Sequence, residues 1–104
     1  MREAQVEHYL GLKISQAHGL TFKFTSPSTA GVPDRIVIHE GRVMFVELKA
    51  PGEKPRELQR IIAEHIRSAG GFVYCISTKK QVDDFVAELE RTPKYPNAEN
   101  YDNI

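Results

Sequence analysis

A chain of 104 residues has room for one domain around a single hydrophobic core, and a second domain is not expected. Fourteen Lys and Arg balance 14 Asp and Glu, and a hydrophobic content of 40% is ordinary for a globular protein, so bulk composition selects no partner class. A lone cysteine, Cys75, excludes an intramolecular disulfide and a thiolate zinc site; with no signal-peptide core and no apolar run near the roughly 18–20 residues of a membrane span, a cytoplasmic location is expected.

From Arg2 to His18, the residues Val6, Leu10, Ile14 and Ala17 recur at helical spacing, and Gly19 stands where a helix-terminating glycine belongs. LTFKFTS alternates Leu20, Phe22 and Phe24 with Thr21, Lys23 and Thr25, which predicts a strand whose threonine and lysine side is the wetter one. After the turn-rich PSTAGVP, the runs DRIVIH and RVMFVELK predict two antiparallel strands joined by a tight hairpin at Glu40-Gly41. Pro51-Gly52 breaks the chain, and Pro55 suits the first turn of a helix. Leu58, Ile61, Ile62, His65, Ile66 and Ala69 then draw an apolar stripe that ends at Gly70-Gly71. FVYCIS, with Cys75 read as core, predicts a strand covered on both faces, and Val82, Phe85, Val86 and Leu89 mark a last amphipathic helix. The order α-β-β-β-α-β-α, with a helical crossover to a parallel fourth strand, gives an α/β fold with a mixed sheet flanked by helices. Residues 1–91 are read as the domain; the tail 92–104, with two prolines and three asparagines, is expected to be disordered or to pack on a partner.

Glu47 and Lys49 interrupt a run, VMFV, that is apolar enough for the middle of a sheet. An ionised carboxylate there costs several kcal/mol unless a cation neutralises it. Strand alternation puts Glu47 and Lys49 on one face, about 6–7 Å apart at their Cα atoms. A hairpin turning at Glu40-Gly41 brings Asp34, at the start of the partner strand, opposite Glu47. Two converging carboxylates repel unless a divalent ion fills the gap, and a hard oxygen-lined site selects Mg²⁺. Such a site suits phosphodiester hydrolysis, because the ion polarises a phosphoryl oxygen and acidifies water, while Lys49 orients the attacking water or stabilises developing charge. No G-x-S-x-G elbow, H-E-x-x-H motif or phosphate-binding G-x-x-x-x-G-K competes. Seen alone, Glu47 and Lys49 are more often a strand-end ion pair; Pro33-Asp34 and Gln59 together reverse that balance.

Pro33-Asp34, twelve intervening residues and Glu47-Leu48-Lys49 resemble the PD-(D/E)XK nuclease signature. The blocks GVPDRIVI, FVELKAPG and PRELQ, the last carrying Gln59, more closely resemble the virus-type replication-repair nuclease (VRR-NUC) family, across roughly residues 3–80. The resemblance implies the αβββαβ restriction-endonuclease-like core and a Mg²⁺-dependent DNA endonuclease in which Mn²⁺ can substitute. It implies Asp34 and Glu47 as metal ligands, the Leu48 carbonyl completing the shell, and Lys49 as the catalytic lysine. A first-helix glutamate joins them; Glu3 and Glu7 both stand on that helix, and Glu7 fits the pattern better. Gln59, on the helix after the third strand, can flank the core and reach toward the site. The resemblance further implies a viral or phage setting, DNA repair and symmetric cutting of four-way (Holliday) junctions. A small footprint beside the roughly 1,000–2,500 Å² of specific protein–DNA complexes favours a homodimer. A less selective nickase or flap nuclease, and a catalytically silent DNA-binding module, remain as alternatives.

Charge is uneven along the chain: residues 49–80 carry seven Lys or Arg against three Glu, and residues 81–104 carry the compensating net −4. Lys54, Arg56 and Arg60 in the basic stretch, with Lys23 and Arg35, are the candidates for tracking DNA phosphates. Each alone is more often a solvated charge. The four histidines share no metal-ligand spacing, and His65 is read as packing in the core.

Overall fold

Apolar side chains at every third or fourth position give a first helix, α1 (Glu3–Gln16), whose Val6, Leu10 and Ile14 are fully buried. The computed structural model describes residues 2–92, so the expectation for the tail lies, from residue 93 onward, outside the described residues. Strands β1 (Leu20–Lys23), β2 (Arg35–His39) and β3 (Arg42–Leu48) follow, then α2 (Glu57–Ser68), β4 (Phe72–Ile76) and α3 (Lys79–Arg91). This is the expected element order. The strands lie side by side as β1-β2-β3-β4, antiparallel through β3 and parallel between β3 and β4, with α2 as the crossover. No helix among the described residues is long and apolar enough to cross a membrane.

Local chemistry fixes the ends of these elements. α1 closes in a Schellman arrangement: the Gly19 N–H donates to the Ile14 carbonyl at 2.9 Å and the His18 N–H to the Ser15 carbonyl at 3.0 Å. His18, not Gly19, takes the left-handed position, with φ of 65°. Gly19 is needed for another reason, since a Cβ there would lie 2.9 Å from both the Ile14 side chain and the Ile38 carbonyl. At the β2–β3 turn, Glu40 and Gly41 have φ of 49° and 83°, the paired positive values of a tight hairpin. Thr78 caps α3 by accepting a hydrogen bond from the Gln81 N–H.

The two faces of the sheet differ. Val37, Met44, Val46, Leu48 and Ile76 turn one face toward α1 and α3, where they form a dry core with Leu10, Ile14, Phe85 and Leu89. Burying each such side chain contributes roughly 1.5–3 kcal/mol. The opposite face carries α2, which packs mainly beside β4 and has no buried residue. The expected α2 stripe is therefore not the packed one: Leu58 and Ile61 are 47% and 39% exposed, and His65 and Ala69 are exposed as well. The half-buried positions are Gln59, Ile62, Ala63 and Ile66, a stripe rotated about the helix axis so that Gln59 turns inward. Two further expectations are corrected. Cys75 is exposed because β4 is an edge strand, and on β1 it is Leu20 and Phe22, at 56% and 52% exposure, that face the open side while Thr21 is half-buried.

Candidate active site

The hairpin register pairs Arg35 with Val46 and Ile36 with Phe45, so alternation carries Asp34, just before β2, to the Glu47 side of the sheet. Glu47 is only 7% exposed, and α2 arrives over it: Gln59 Nε2 donates to Glu47 Oε2 at 3.2 Å while the Gln59 side-chain oxygen accepts from the Arg56 N–H at 2.8 Å. Gln59 thus ties the N-terminus of α2 to the carboxylate. Lys49, one residue beyond β3, stays in line because its N–H donates to the Ile76 carbonyl at 3.0 Å, and its Nζ lies 3.7 Å from Glu47 Oε2. Lys49 and Glu47 are both mostly withdrawn from solvent, with side chains 13% and 9% exposed.

The electrostatics show two carboxylates in one under-neutralised place. Burial first, and then the charge of Asp34, push the Glu47 carboxyl up to about 7, against the opposing pull of Lys49. Burial also raises Asp34, although backbone N–H groups of Leu48 and of Asp34 itself favour its charged form. Asp34 Oδ1 is buried and accepts no hydrogen bond, a costly arrangement for an acceptor. A hard divalent cation fits here on chemistry: an orphaned carboxylate oxygen, a second carboxylate resisting ionisation, and no soft ligand required. The Leu48 main chain points to the same side, since its N–H serves Asp34 while that of Lys49 serves β4. Among the described residues no three His, Cys, Asp or Glu side chains converge as a metal-binding group. Two carboxylates, a backbone carbonyl and water are then the oxygen donors to hand.

The other candidates divide. Glu7 forms an ion pair with Arg35 at 2.9 Å, within electrostatic reach of Asp34, so it is engaged by a cation and stands outside any three-carboxylate cluster. Arg35, read as a phosphate contact, is half of that pair with its side chain 12% exposed. Glu3 is exposed, and its charge acts on Glu47, which keeps it beside Glu7 as the first-helix contributor. Lys23 is exposed at the end of β1, next to Arg35 in the register. Lys54, Arg56 and Arg60 are exposed around the start of α2, and the field of Arg56 reaches Glu47. Missed in the sequence is a small cavity beside Glu47, partly walled by Pro33, Pro55, Ala63 and Cys75. Its one readable clue was the parallel pairing of the third and fourth strands, which sets Cys75 next to Glu47.

No protein-family model matches the chain. It is similar to a protein described as "Putative nuclease p44" from Acyrthosiphon pisum secondary endosymbiont phage 1, with 44% identity over 68 residues, 64% of this chain and 71% of that protein. Among solved structures it is similar to a chain described as a VRR_NUC domain, with a TM-score of 0.75 and 30% identity, covering 82% of this chain and 94% of that one.

Proposed function

The chain belongs to the VRR-NUC family, and from that premise we propose that it is a divalent-metal-dependent DNA endonuclease hydrolysing phosphodiester bonds. The observation that carries this reading is the unpartnered Asp34 oxygen beside a Glu47 whose carboxyl resists ionisation. A folded protein has no structural use for such a pair, and a Mg²⁺ or Mn²⁺ ion would relieve it. Asp34, Glu47 and the Leu48 carbonyl would hold the ion; a first-helix glutamate would join them only by leaving its present place, Glu7 its Arg35 partner or Glu3 its exposed position. When bound, the ion supplies Lewis-acid polarisation of the phosphoryl oxygen.

The chain's own groups do the rest. Lys49, sharing the face of Glu47, places a positive charge where negative charge develops on the phosphoryl group and can orient the attacking water, an effect worth a few kcal/mol. Gln59 is a positioning residue: its amide fixes the Glu47 carboxylate and couples it to the loop bearing Lys54 and Arg56. Lys54, Arg56 and Arg60 attract the phosphate backbone without reading sequence.

The preferred substrate is a four-way junction cut symmetrically by a homodimer. The bare half of the sheet supports a second copy, because Leu20, Phe22 and Val43 expose more than half of their surface on one continuous apolar face. The test is incubation of labelled junction and linear duplex with the protein in Mg²⁺, in Ca²⁺ and in EDTA, beside Glu47→Gln. Paired cuts in the junction alone, with Mg²⁺ and wild type only, are expected. Equal cutting of both DNAs would discard the junction preference, and an active Glu47→Gln would remove the site assignment.

A further inference from the structure

Glu47 and Gln59 also help line a cavity of about 160 Å³ between α2 and β4. Pro33, Pro55, Ala63 and Val73 make much of its wall apolar. The volume is well below the roughly 300–1,000 Å³ of pockets for drug-sized ligands, so it suits one flat ring and not a whole nucleotide. Arg60 and Glu64, exposed on α2, complete the lining with Gln59 and offer donors and acceptors to a ring edge. The wall beside β4 is fixed, because the Arg67 guanidinium donates to the Val73 carbonyl at 2.7 Å.

We infer that this cavity receives a single unpaired nucleobase from the strand being cut, an inference that rests on the nuclease reading above. The argument is one of adjacency. A cavity sharing Glu47 with the proposed metal site lies within a nucleotide's reach of the scissile phosphate. A base stacked in a duplex cannot enter; extruding it costs a few kcal/mol, and least where it is already unpaired. At the branch point of a junction or fork, stacking is interrupted, so a base there is extruded more readily than one within a continuous duplex. The cavity therefore supplies a physical basis for preferring branched over linear DNA in addition to that of phosphate contacts, which carry no information about the base.

Cys75 lines the same cavity, is exposed, and is the only cysteine in the chain, so its alkylation reports on occupancy. Wild-type protein in Ca²⁺ is mixed with a blunt duplex, with a fork carrying unpaired thymines at the branch point, or with the same fork carrying abasic residues there. Binding is read by anisotropy, maleimide labelling of Cys75 is timed, and cleavage in Mg²⁺ is followed in parallel. At free DNA about tenfold above its Kd, the intact fork is expected to slow labelling about tenfold. The blunt duplex and the abasic fork at equal occupancy leave labelling nearly unchanged. Ala63→Leu, which fills the cavity from a helix with no buried residue, loses the protection yet binds blunt duplex like wild type. Equal protection by intact and abasic forks would overturn the inference, as would unchanged labelling at saturating fork. Cleavage in Mg²⁺ would in those cases leave the nuclease reading standing, whereas absence of both binding and cleavage would overturn the two together.

Discussion

One face of the sheet is finished and the other is not. Toward α1 and α3, Val37, Met44, Val46 and Leu48 are wholly withdrawn from solvent in one hydrophobic cluster. Toward α2, one residue along the same strands, the side chains are Asp34, Glu47 and Lys49, together with Phe22 and Val43 left largely in water. Period-two alternation therefore lets β3 act as a structural strand and a chemical strand at once, and the finished face tolerates the strain stored on the other. Stability resides on the α1/α3 side; charge conflict, a cavity and an uncovered apolar surface all lie on the α2 side. That division predicts how substitutions separate.

The sharpest way to break it is at the carboxylates. Asp34→Asn is expected to reduce cleavage by on the order of 10³-fold or more while leaving DNA binding and the circular-dichroism spectrum intact, as measured by gel cleavage and anisotropy. Leu10→Ala on the finished face should do the reverse, lowering unfolding free energy by about 2–5 kcal/mol in urea titration while specific activity of the folded fraction is kept. The charge conflict itself should appear as a pH dependence. Because the Glu47 carboxyl titrates near 7 in the fold, above its ordinary value, the metal-free protein loses stability as pH rises from about 4.5 through 7, by at most roughly 3 kcal/mol. Thermal melts in EDTA at pH 5 and pH 8 read this directly. Glu47→Gln should flatten the slope and melt higher than wild type at pH 8, and Mg²⁺ should raise the wild-type midpoint at pH 8 but not that of the variant. The smallest effect on folding belongs to the bare face: Phe22→Ser is expected to change unfolding free energy by about 1 kcal/mol or less, yet to shift sedimentation from dimer to monomer. A dimer unaffected by Phe22→Ser would place the interface elsewhere.

Much of this was legible in the sequence, for reasons that also explain the failures. Strand alternation and the Glu40-Gly41 turn carry local signals, and so did the register that sets Asp34 opposite Glu47. Val6, Leu10 and Ile14 were readable as core because α1 has an apolar sheet beneath it. The α2 stripe misled because periodicity reports that one side of a helix is apolar, not that anything covers it. Its packed side carries Gln59 beside Ile62 and Ala63, and the Gln59–Glu47 hydrogen bond joins residues on different elements, which periodicity does not register. Cys75 failed similarly: an apolar strand resembles a central one, and only the sheet order shows it to be at the edge. The Glu7–Arg35 pair joins a helix to a strand across the structure, and no sequence pattern announces it.

The sheet's connectivity also bears on how the site comes into being. The β2–β3 hairpin brings together residues as close as Val37 and Met44, whereas the parallel ladder must match Leu48 with Ile76 across the whole of α2. Closing the longer loop carries the greater entropy penalty, so the hairpin that sets Asp34 opposite Glu47 should form first, with β4 and the inward turn of Gln59 later. The two halves of the site then have separate histories. Native-state hydrogen exchange should find Val37 and Met44 amides protected in openings that already release those of α2, so that the protein loses its grip on the geometry of Glu47 before it loses the carboxylate pair itself.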